Sequence, residues 1–290
     1  MFLGGGSNVL FTQNFDGLLV LNRIQGKELI AKNNEKYSVS AYSGEVWHEF
    51  VIWTIENGFY GLENMSLIPG TVGAAPIQNI GAYGVELKDN CTAVHAINLK
   101  TGELRIFSNA ECNFGYRESI FKRELSGQYF ILKLIFELSE NSLKHTRYGT
   151  IQEELNKKGI ANPTHKDISD TVIEIRSSKL PNPQLLGNAG SFFKNPIVEK
   201  SLSDKLLLEY PQMPNFSDAL GIKIPAGWLI EQCGFKGYRE GEVGSHQHQA
   251  LVIVNYGNAT GKEVLDYSEK IIQTVKNKFG ITLEREVNMI

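Results

Sequence analysis

The strongest constraint on the fold is a long segment, residues 61–84, that is rich in glycine, alanine and proline. Loops of this length inside a compact domain are uncommon, and they are usually binding loops. Because most of its side chains are small, the backbone can approach a large flat ligand closely, with Gln78, Asn79 and Tyr83 as polar contacts. The alternative is an irregular loop that is buried against a helix without a ligand.

A second group of glycines opens the sequence, where Gly4, Gly5 and Gly6 are followed by Ser7 and Asn8. Without Cβ atoms, backbone N–H groups can converge on an anion such as a pyrophosphate, and the two polar residues add hydrogen bonds. A flexible turn beside a strand explains this string equally well. Since a phosphate-binding glycine loop normally follows a complete strand, we expect an N-terminal part of this domain to be missing.

Composition and charge disfavour several classes of protein. The 290 residues carry a net charge of −3, without the basic footprint of a nucleic-acid-binding protein. Three scattered cysteines predict neither a zinc site nor a disulfide framework, so we expect a reducing compartment, the cytoplasm. No apolar run is long enough to span a bilayer, and no signal peptide is visible. His246 and His248 have no carboxylate or cysteine close by in sequence, so we expect no metal site.

The periodicity predicts an α+β protein whose first part is rich in strands. Helices are expected over residues 45–57, with Gly58 after the end, and over 262–279, closed by Gly280. A last strand is expected over 281–287. Other strands are predicted at 94–99, 104–108, 129–138 and 250–255. The predicted regions are 1–140, a polar connection with a helix at 141–180, and a C-terminal domain at 181–290.

Arg117 lies in a turn rich in aromatic residues, 113–119, where a guanidinium can clamp a carboxylate through two parallel hydrogen bonds. The alternative is an ordinary surface charge. Arg176 and Lys179 come at the end of a predicted helix before Pro181 and could hold phosphates. Cations at that position also suit the helix dipole, so the two explanations stay open.

Ser191 follows small residues and precedes two phenylalanines, and a hydroxyl in a pocket that excludes water can donate a proton. The string lacks a GxSxG elbow, so a hydrolase is not favoured, and a serine in a tight turn is the alternative. On the predicted last strand, Glu284 and Glu286 share the face opposite Leu283 and Val287. One glutamate could reach a site, or both are solvated.

Six strings, in one order, resemble the UDP-N-acetylenolpyruvoylglucosamine reductases, also called UDP-N-acetylmuramate dehydrogenases. The resemblance runs from residue 3 to residue 287. The strings are GGGSN at 4–8, GLENMSLIPGTVGAAPIQNIGAYG at 61–84, FGYRESIFK at 114–122, GNAGSFFKNP at 187–196, AGWLIEQCGFKG at 226–237 and LEREV at 283–287.

This resemblance implies an α+β fold with a two-part FAD-binding domain of the vanillyl-alcohol-oxidase/PCMH type, its first part incomplete here, followed by an α+β substrate-binding domain. Members of the family bind FAD non-covalently, and NADPH reduces it. Hydride then passes to the enolpyruvyl ether of UDP-N-acetylglucosamine, and a proton on the α-carbon completes UDP-N-acetylmuramate. The resemblance thus implies an oxidoreductase of peptidoglycan synthesis, and so of cell-wall biogenesis, cell shape and cell division. We expect a monomer that binds no nucleic acid and does not insert into a membrane.

The same resemblance assigns roles to single residues. Arg117 matches the arginine that grips the substrate carboxylate, Ser191 matches the proton donor, and Glu286 matches a glutamate that must be protonated to bond an anion. The positions that match cofactor contacts are Gly4, Gly5, Gly6, Ser7, Asn8, Pro69, Gly70, Gly73, Ala74, Gln78, Asn79, Gly81 and Ala82. The positions that match contacts to the sugar nucleotide are Tyr83, Tyr148, Lys179, Lys194, Asn195 and Gln249. Tyr148 lies in a tyrosine loop that marks one of the family's two types.

Two other interpretations stay open. Another flavin oxidoreductase of this fold would often tether FAD through a histidine, but residues 1–47 contain none, and neither His48 nor His95 lies in a glycine-rich loop. A nucleotide-sugar-binding remnant without flavin would be colourless, whereas the enzyme would show flavin absorbance. A structural or interaction module is disfavoured by the dense glycine and polar clusters.

Overall fold

The computed structural model describes all 290 residues, which form two compact units. The first unit comprises Met1–Gly6 and Gly17–Arg176, and the second comprises Ser7–Asp16 and Ser177–Ile290. The chain therefore leaves the first unit early and returns to it, which no pattern in the sequence indicates. The three regions expected from the sequence stay a prediction.

Strands and short helices alternate along both units. The strands, in chain order, are β1 (Phe2–Leu3), β2 (Val9–Leu10), β3 (Val20–Leu21), β4 (Lys27–Asn33), β5 (Lys36–Tyr42), β6 (Gly81–Ala82), β7 (Val85–Glu86), β8 (Cys91–Asn98), β9 (Leu104–Ser108), β10 (Tyr129–Ser139), β11 (Gly187–Ser191), β12 (Ile197–Val198), β13 (Phe216–Asp218), β14 (Gly221–Lys223), β15 (Arg239–Glu240), β16 (Val243–Ser245), β17 (Val252–Asn255) and β18 (Asn288–Met289). The α-helices are α1 (Trp47–Glu56), α2 (Ile151–Lys157), α3 (His165–Lys179), α4 (Lys200–Glu209), α5 (Ala226–Gln232) and α6 (Gly261–Phe279). Short 3-10 turns lie at Glu63–Met65, Val72–Ala74 and Leu87–Asp89. This mixture confirms the expected α+β class.

The first unit is built on a five-stranded antiparallel sheet in the order β4-β5-β10-β8-β9. Its central strand β10 pairs on both sides, so that Leu134 lies opposite Val94 and Phe136 opposite Val39, and all four side chains are fully buried. Helix α1 packs on this core, with the ring of Phe50 centred 5.0 Å from that of Phe136. The helix predicted near residue 50 and the three predicted strands of this sheet are confirmed, with small shifts at their ends.

The long segment 61–84 is irregular in the structure, as its composition predicts, and buried polar side chains anchor its start. The Glu63 carboxylate accepts a hydrogen bond from the backbone N–H of Gly61 at 2.8 Å and lies 2.6 Å from Nδ1 of His165. The His165 ring stacks on Tyr60, with ring centroids 4.0 Å apart. The segment is therefore fixed against helix α3.

The second unit contains a four-stranded antiparallel sheet, β11-β17-β16-β15, and a small sheet, β12-β14-β13. Helix α6 confirms its prediction, and its apolar face is buried. The helix begins with a capping box in which the Glu263 N–H donates to the Thr260 hydroxyl at 3.2 Å and the Thr260 N–H donates to the Glu263 carboxylate at 2.7 Å. Gly280 ends the helix in the left-handed conformation, with φ of 71°.

The strand predicted over 281–287 is wrong. Within that range only Arg285 forms an isolated bridge, to Phe193, and the paired strand is β18, which runs parallel to β2. The facing segment explains the difference, because Phe192, Phe193 and Lys194 are all buried. Three consecutive inward side chains break the alternation that a continuous ladder needs.

Candidate active site

The glycine loop meets the long segment inside the first unit. A Cβ at Gly5 would lie 3.1 Å from the Cα of Gly70, and a Cβ at Gly4 would lie 2.5 Å from Oγ1 of Thr71. The approach is so close that only glycine fits at these positions. The Thr71 hydroxyl is buried and has no hydrogen-bond partner in the protein. Such an orphaned hydroxyl in a glycine cradle (Gly4, Gly5, Gly70 and Thr71) fits an oxygen-rich ligand, so the residues present suit FAD.

The other predicted cofactor positions of the first unit follow along segment 61–84. Pro69 and Ala74 are exposed, Gly6 is exposed in the glycine loop, and Gly73, Gln78, Gly81 and Ala82 are partly buried. A Cβ at Gly73 would lie 2.4 Å from the Cβ of Ser43, so this glycine is also required by close packing.

Asn79 is fully buried, and protein atoms satisfy its side chain. Its Nδ2 donates to the Glu86 carboxylate and to the Gly115 carbonyl, each at 3.0 Å, and its Oδ1 accepts from the Lys88 N–H at 3.0 Å. The amide therefore ties the long segment to the turn that carries Arg117. The predicted contact of Asn79 with the cofactor stays a prediction.

Backbone strain is concentrated in this part of the first unit. Six residues other than glycine have positive φ, and five of them lie in segment 61–84 or in the turn 113–119: Leu67 at 57°, Asn79 at 44°, Tyr83 at 49°, Asn113 at 46° and Arg117 at 55°. Residues with side chains rarely adopt this conformation, and the strain persists only where surrounding contacts enforce it. Such residues cluster at functional sites, so their position supports the site predicted from the sequence.

Two side chains hold Leu67 in its strained conformation. Its N–H donates to Nδ1 of His48 at 3.0 Å, and its carbonyl accepts from Nε of Arg176 at 3.3 Å. Burial, and then the charge of Arg176, lower the pKa of His48, which keeps the ring neutral and Nδ1 able to accept. Burial also lowers the pKa of Arg176, although a guanidinium stays charged in proteins.

Arg117 lies in a tight turn that is closed by a backbone bridge between Gly115 and Glu118. Its Nη2 donates to the Gly81 carbonyl at 2.9 Å, and its Cζ lies 5.3 Å from the ring centre of Tyr116. These contacts fix the guanidinium against strand β6. A guanidinium held in this way can bind a carboxylate without losing much side-chain freedom.

Asn64 joins the segments that carry the two predicted tyrosines. Its Nδ2 donates to the Tyr83 carbonyl at 3.0 Å and to the His145 carbonyl at 2.8 Å, while its Oδ1 is buried without a partner. Tyr148 is 54% exposed and packs over Gly84, where a Cβ would lie 3.3 Å from its ring. Burial raises the pKa of Tyr83, so its hydroxyl stays protonated at neutral pH.

In the second unit, Ser191 and Glu286 lie on adjacent segments. Ser191 ends β11 and is half-buried, and Phe192 and Phe193 after it are buried. The Glu286 N–H donates to the Phe192 carbonyl at 2.9 Å. Nδ2 of Asn8 donates to the Glu286 carbonyl at 3.2 Å. The string GGGSN is therefore divided between the units: Gly4 to Gly6 belong to the first unit, whereas Ser7 and Asn8 belong to the second.

Lys194 and Asn195 continue from the same strand. Nζ of Lys194 is buried and lies 2.5 Å from the carboxylate of Glu284, which itself faces solvent. Oδ1 of Asn195 accepts from the Ala226 N–H at 2.9 Å, at the start of α5, which leaves its Nδ2 as a donor. Of the two glutamates considered from the sequence, Glu284 is thus committed to an ion pair.

Gln249 lies beside the same end of α5 as Asn195. A Cβ at Gly227, in that helix, would lie 2.9 Å from Oε1 of Gln249. Lys179 is exposed at the end of α3, and its carbonyl accepts a hydrogen bond from His246. The structure therefore brings two of the predicted sugar-nucleotide contacts to one helix end.

Three polar residues were not predicted from the sequence: Asn64 and Thr71, which are buried, and His48, which is partly buried. Asn64 and Thr71 had a signal, because they are polar residues inside a run of small and apolar ones. His48 lies on a predicted helix, and its contact with Leu67 joins residues 19 apart, which no local pattern indicates. Arg117 belongs to the first unit, and Ser191 and Glu286 belong to the second.

The structure shows neither a cluster of metal-binding side chains nor a membrane-spanning helix. No group of three or more His, Cys, Asp or Glu side chains is arranged to hold a metal ion. None of the helices combines the length and the apolar character that crossing a membrane requires.

Two family models match the chain. The FAD binding domain matches residues 1–108, and the model described as UDP-N-acetylenolpyruvoylglucosamine reductase, C-terminal domain, matches residues 182–290. A crystal structure of UDP-N-acetylenolpyruvylglucosamine reductase from Thermus caldophilus has a TM-score of 0.67 with this chain, at 23% identity, and the match covers 100% of this chain and 84% of that chain. The expected fold is confirmed. Together, fold and cofactor domain define an FAD-dependent oxidoreductase.

Curated relatives give the family within this class. The UDP-N-acetylenolpyruvoylglucosamine reductase of Flavobacterium johnsoniae is 53% identical over 290 residues, which covers 99% of this chain and 86% of that protein. The protein of the same name from Chromobacterium violaceum is 50% identical over 288 residues, which covers 99% of this chain and 84% of that protein. The chain belongs to the UDP-N-acetylenolpyruvoylglucosamine reductase family.

Proposed function

We propose that this chain reduces UDP-N-acetylglucosamine enolpyruvate to UDP-N-acetylmuramate, with FAD as cofactor and NADPH as co-substrate, as a step of peptidoglycan precursor synthesis. The observation that carries the proposal is the glycine cradle with its unpartnered Thr71 hydroxyl, in a chain of this family. Bound FAD supplies hydride transfer between NADPH and the double bond of the enol ether. The cradle, with Gly73, Gly81 and Ala82 beyond it, would hold that cofactor.

Arg117 has the part of a carboxylate clamp. Addition of hydride to the β-carbon of the enol ether pushes negative charge onto the substrate carboxylate, and a positioned guanidinium stabilises that charge. The hydrogen bond of Nη2 to the Gly81 carbonyl fixes the group before substrate arrives. Little reorganisation is then needed as the charge develops.

Ser191 has the part of the proton donor to the α-carbon. A serine hydroxyl is a weak acid, but the charge that builds on the substrate makes this carbon strongly basic. Glu286 lies on the neighbouring segment, where a protonated carboxyl can donate a hydrogen bond to the substrate carboxylate. The buried ammonium of Lys194 adds positive charge close to Ser191 along the chain, which favours a deprotonated serine after the transfer.

The remaining predicted contacts suit the sugar nucleotide. Asn195 keeps a free donor group, Gln249 lies beside it at the start of α5, and Lys179 offers a mobile cation for a diphosphate. Tyr83 and Tyr148, packed on one another's segments in the first unit, offer aromatic surface and hydroxyl donors. We extend the proposal to a cytoplasmic monomer that binds no nucleic acid. The net charge of −3 supports the last of these properties.

The test begins with an absorbance spectrum of the purified chain between 300 and 550 nm, before and after addition of FAD. Flavin bands that stay with the protein through gel filtration would support the cofactor. Under anaerobic conditions, NADPH should bleach these bands, and the enol ether should restore them. A protein that takes up no FAD, or bleached flavin that the enol ether does not reoxidise, would refute the proposed reaction for this chain.

A further inference from the structure

Arg176 is a cation with no anion beside it. It lies in α3 and is partly buried, and its single hydrogen bond runs from Nε to the Leu67 carbonyl at 3.3 Å. The titratable groups that interact with it are Tyr83, Arg117 and His48. None of these is a carboxylate, and one carries the same charge.

Withdrawing even part of a guanidinium from water without a counterion is costly. Taking a charge out of water is unfavourable unless hydrogen bonds and an opposite charge replace the lost hydration. Burial lowers the pKa of Arg176, which reflects this cost, and the positive charge of Arg117 adds to it. The same guanidinium, with both terminal nitrogens not committed to protein atoms, is well suited to bind an anionic oxygen group bidentately.

The surroundings of Arg176 belong to the binding elements of the first unit. Leu67 precedes the Gly70 end of the glycine cradle, and Tyr83 and Arg117 are among the residues proposed to meet the substrate. One nitrogen of Arg117, Nη2, already donates a hydrogen bond to the Gly81 carbonyl. A ligand anion that approaches these residues therefore meets a second guanidinium that has more donors available.

We propose that Arg176 is a second anion-binding residue of the first unit, beside Arg117. Its ligand is an anionic oxygen group, carried by the sugar nucleotide or by FAD. The inference rests on the proposed function, because that function supplies both ligands. A role in holding the Leu67 turn accompanies this one and requires only Nε.

Binding measurements on three variants test this role. Arg176→Gln removes the charge, Arg176→Lys keeps it without the bidentate fork, and His48→Gln disturbs the other support of Leu67 without removing a charge. Each protein is titrated with FAD, and each FAD-loaded protein is titrated with UDP-N-acetylmuramate and with UDP-N-acetylglucosamine, followed by the change in flavin absorbance. Unfolding curves establish that each variant folds.

Arg176→Gln should weaken binding of the ligand that it holds by roughly 10- to 100-fold, the usual effect of losing a hydrogen bond to a charged group. Loss confined to UDP-N-acetylmuramate identifies its carboxylate as the anion, and equal loss for both sugar nucleotides identifies the diphosphate. Loss for FAD identifies the cofactor. In each case Arg176→Lys should restore part of the affinity, and His48→Gln should bind like the unmodified chain.

Two outcomes would overturn the inference. In the first, no ligand loses more than about twofold in affinity on Arg176→Gln. In the second, His48→Gln produces the same loss, which would assign Arg176 to the support of Leu67 alone. Both leave the proposed function standing, because that function fails only if the unmodified chain takes up no FAD or its reduced flavin is not reoxidised by the enol ether.

Discussion

Two of the residues that we propose to meet the substrate lie on strained backbone. Tyr83 and Arg117 both have positive φ, so their side chains point in directions that regular structure would not allow. The Asn79 amide links their two segments, since it bonds both Glu86 and Gly115. Part of the folding free energy is thus used to aim these groups before any ligand binds.

The clamp role of Arg117 predicts a specific kinetic loss. Arg117→Ala should slow oxidation of the reduced flavin by the enol ether roughly 10²- to 10³-fold, the usual effect of removing one donor to a developing oxyanion. Reduction of the flavin by NADPH should change little, because no substrate carboxylate takes part. Stopped-flow absorbance separates the two half-reactions.

Arg123→Ala is the matched control, since Arg123 is half-exposed in the same region and pairs with Glu118. It should leave both half-reactions unchanged. A loss below tenfold for Arg117→Ala, or an equal loss for Arg123→Ala, would contradict the clamp.

The role of Ser191 predicts the same division between half-reactions for another reason. Ser191→Ala removes the proton donor, so reoxidation of the flavin by the enol ether should slow by about 10²- to 10⁴-fold. NADPH-dependent bleaching should persist. If both half-reactions survive in stopped-flow measurements, the proton comes from another group.

At the scale of single residues, the sequence indicates which side chains are candidates for the site, but not which protein groups those side chains contact. Arg117, Ser191 and Glu286 could be named because each lies in a distinctive string. That Glu284 is committed to Lys194, and Asn79 to three protein groups, depends on contacts between segments distant in sequence. Periodicity and composition carry no information about such contacts.

Elements with a strong period were predictable, and elements shaped by their neighbours were not. Helix α6 has an apolar stripe, a capping box and a terminal glycine, all of which are local signals. Strand β4 was not predicted from the sequence. It is an edge strand that is almost wholly exposed, so its residues show little alternation between apolar and polar side chains. The wrong strand at 281–287 alternates well, but the buried pair Phe192 and Phe193 opposite it does not.

Asn64, in the turn at Glu63–Met65, should hold together the segments that carry Tyr83 and Tyr148. Asn64→Asp replaces an amide that donates to two carbonyls with a carboxylate that repels them, and it changes the shape little. The KM for the sugar nucleotide should rise by roughly 5- to 100-fold, while NADPH-dependent bleaching should not change. Trypsin should also cut faster after Lys144 and Arg147, which flank His145 and are exposed.

Asn57→Asp serves as the control, because Asn57 is an exposed residue whose Nδ2 donates to the Trp53 carbonyl at the end of α1. It should cause neither effect. Unchanged proteolysis in Asn64→Asp would mean that the amide does not hold the two segments together.

At the scale of the whole molecule, a partly buried neutral histidine should make the stability of the fold depend on pH. The pKa of His48 lies below its ordinary value of 6.5 in the folded chain, so the unfolded chain binds more protons between those two values. The free energy of unfolding should therefore fall as the pH drops below about 6.5, by at most ~1.4 kcal/mol per pH unit for this group.

Urea unfolding between about pH 5 and 8 measures this slope. His48→Gln removes the titrating ring and should flatten the slope. An identical slope in His48→Gln and the unmodified chain would refute the assignment. His95 and His246 also have lowered pKa values and add slope of the same sign in both proteins.

The pairing of β2 with β18 sets an order of events during translation. Asn8 hydrogen-bonds Glu286 across 278 residues and Asn288 across 280 residues. A ribosome has delivered every residue of the first unit once Arg176 has emerged, so that unit can fold while the segment 7–16 waits unpaired. The contact between β2 and β18 is then among the last to form in the second unit, and strand β2 stays unpaired until Met289 has been synthesised.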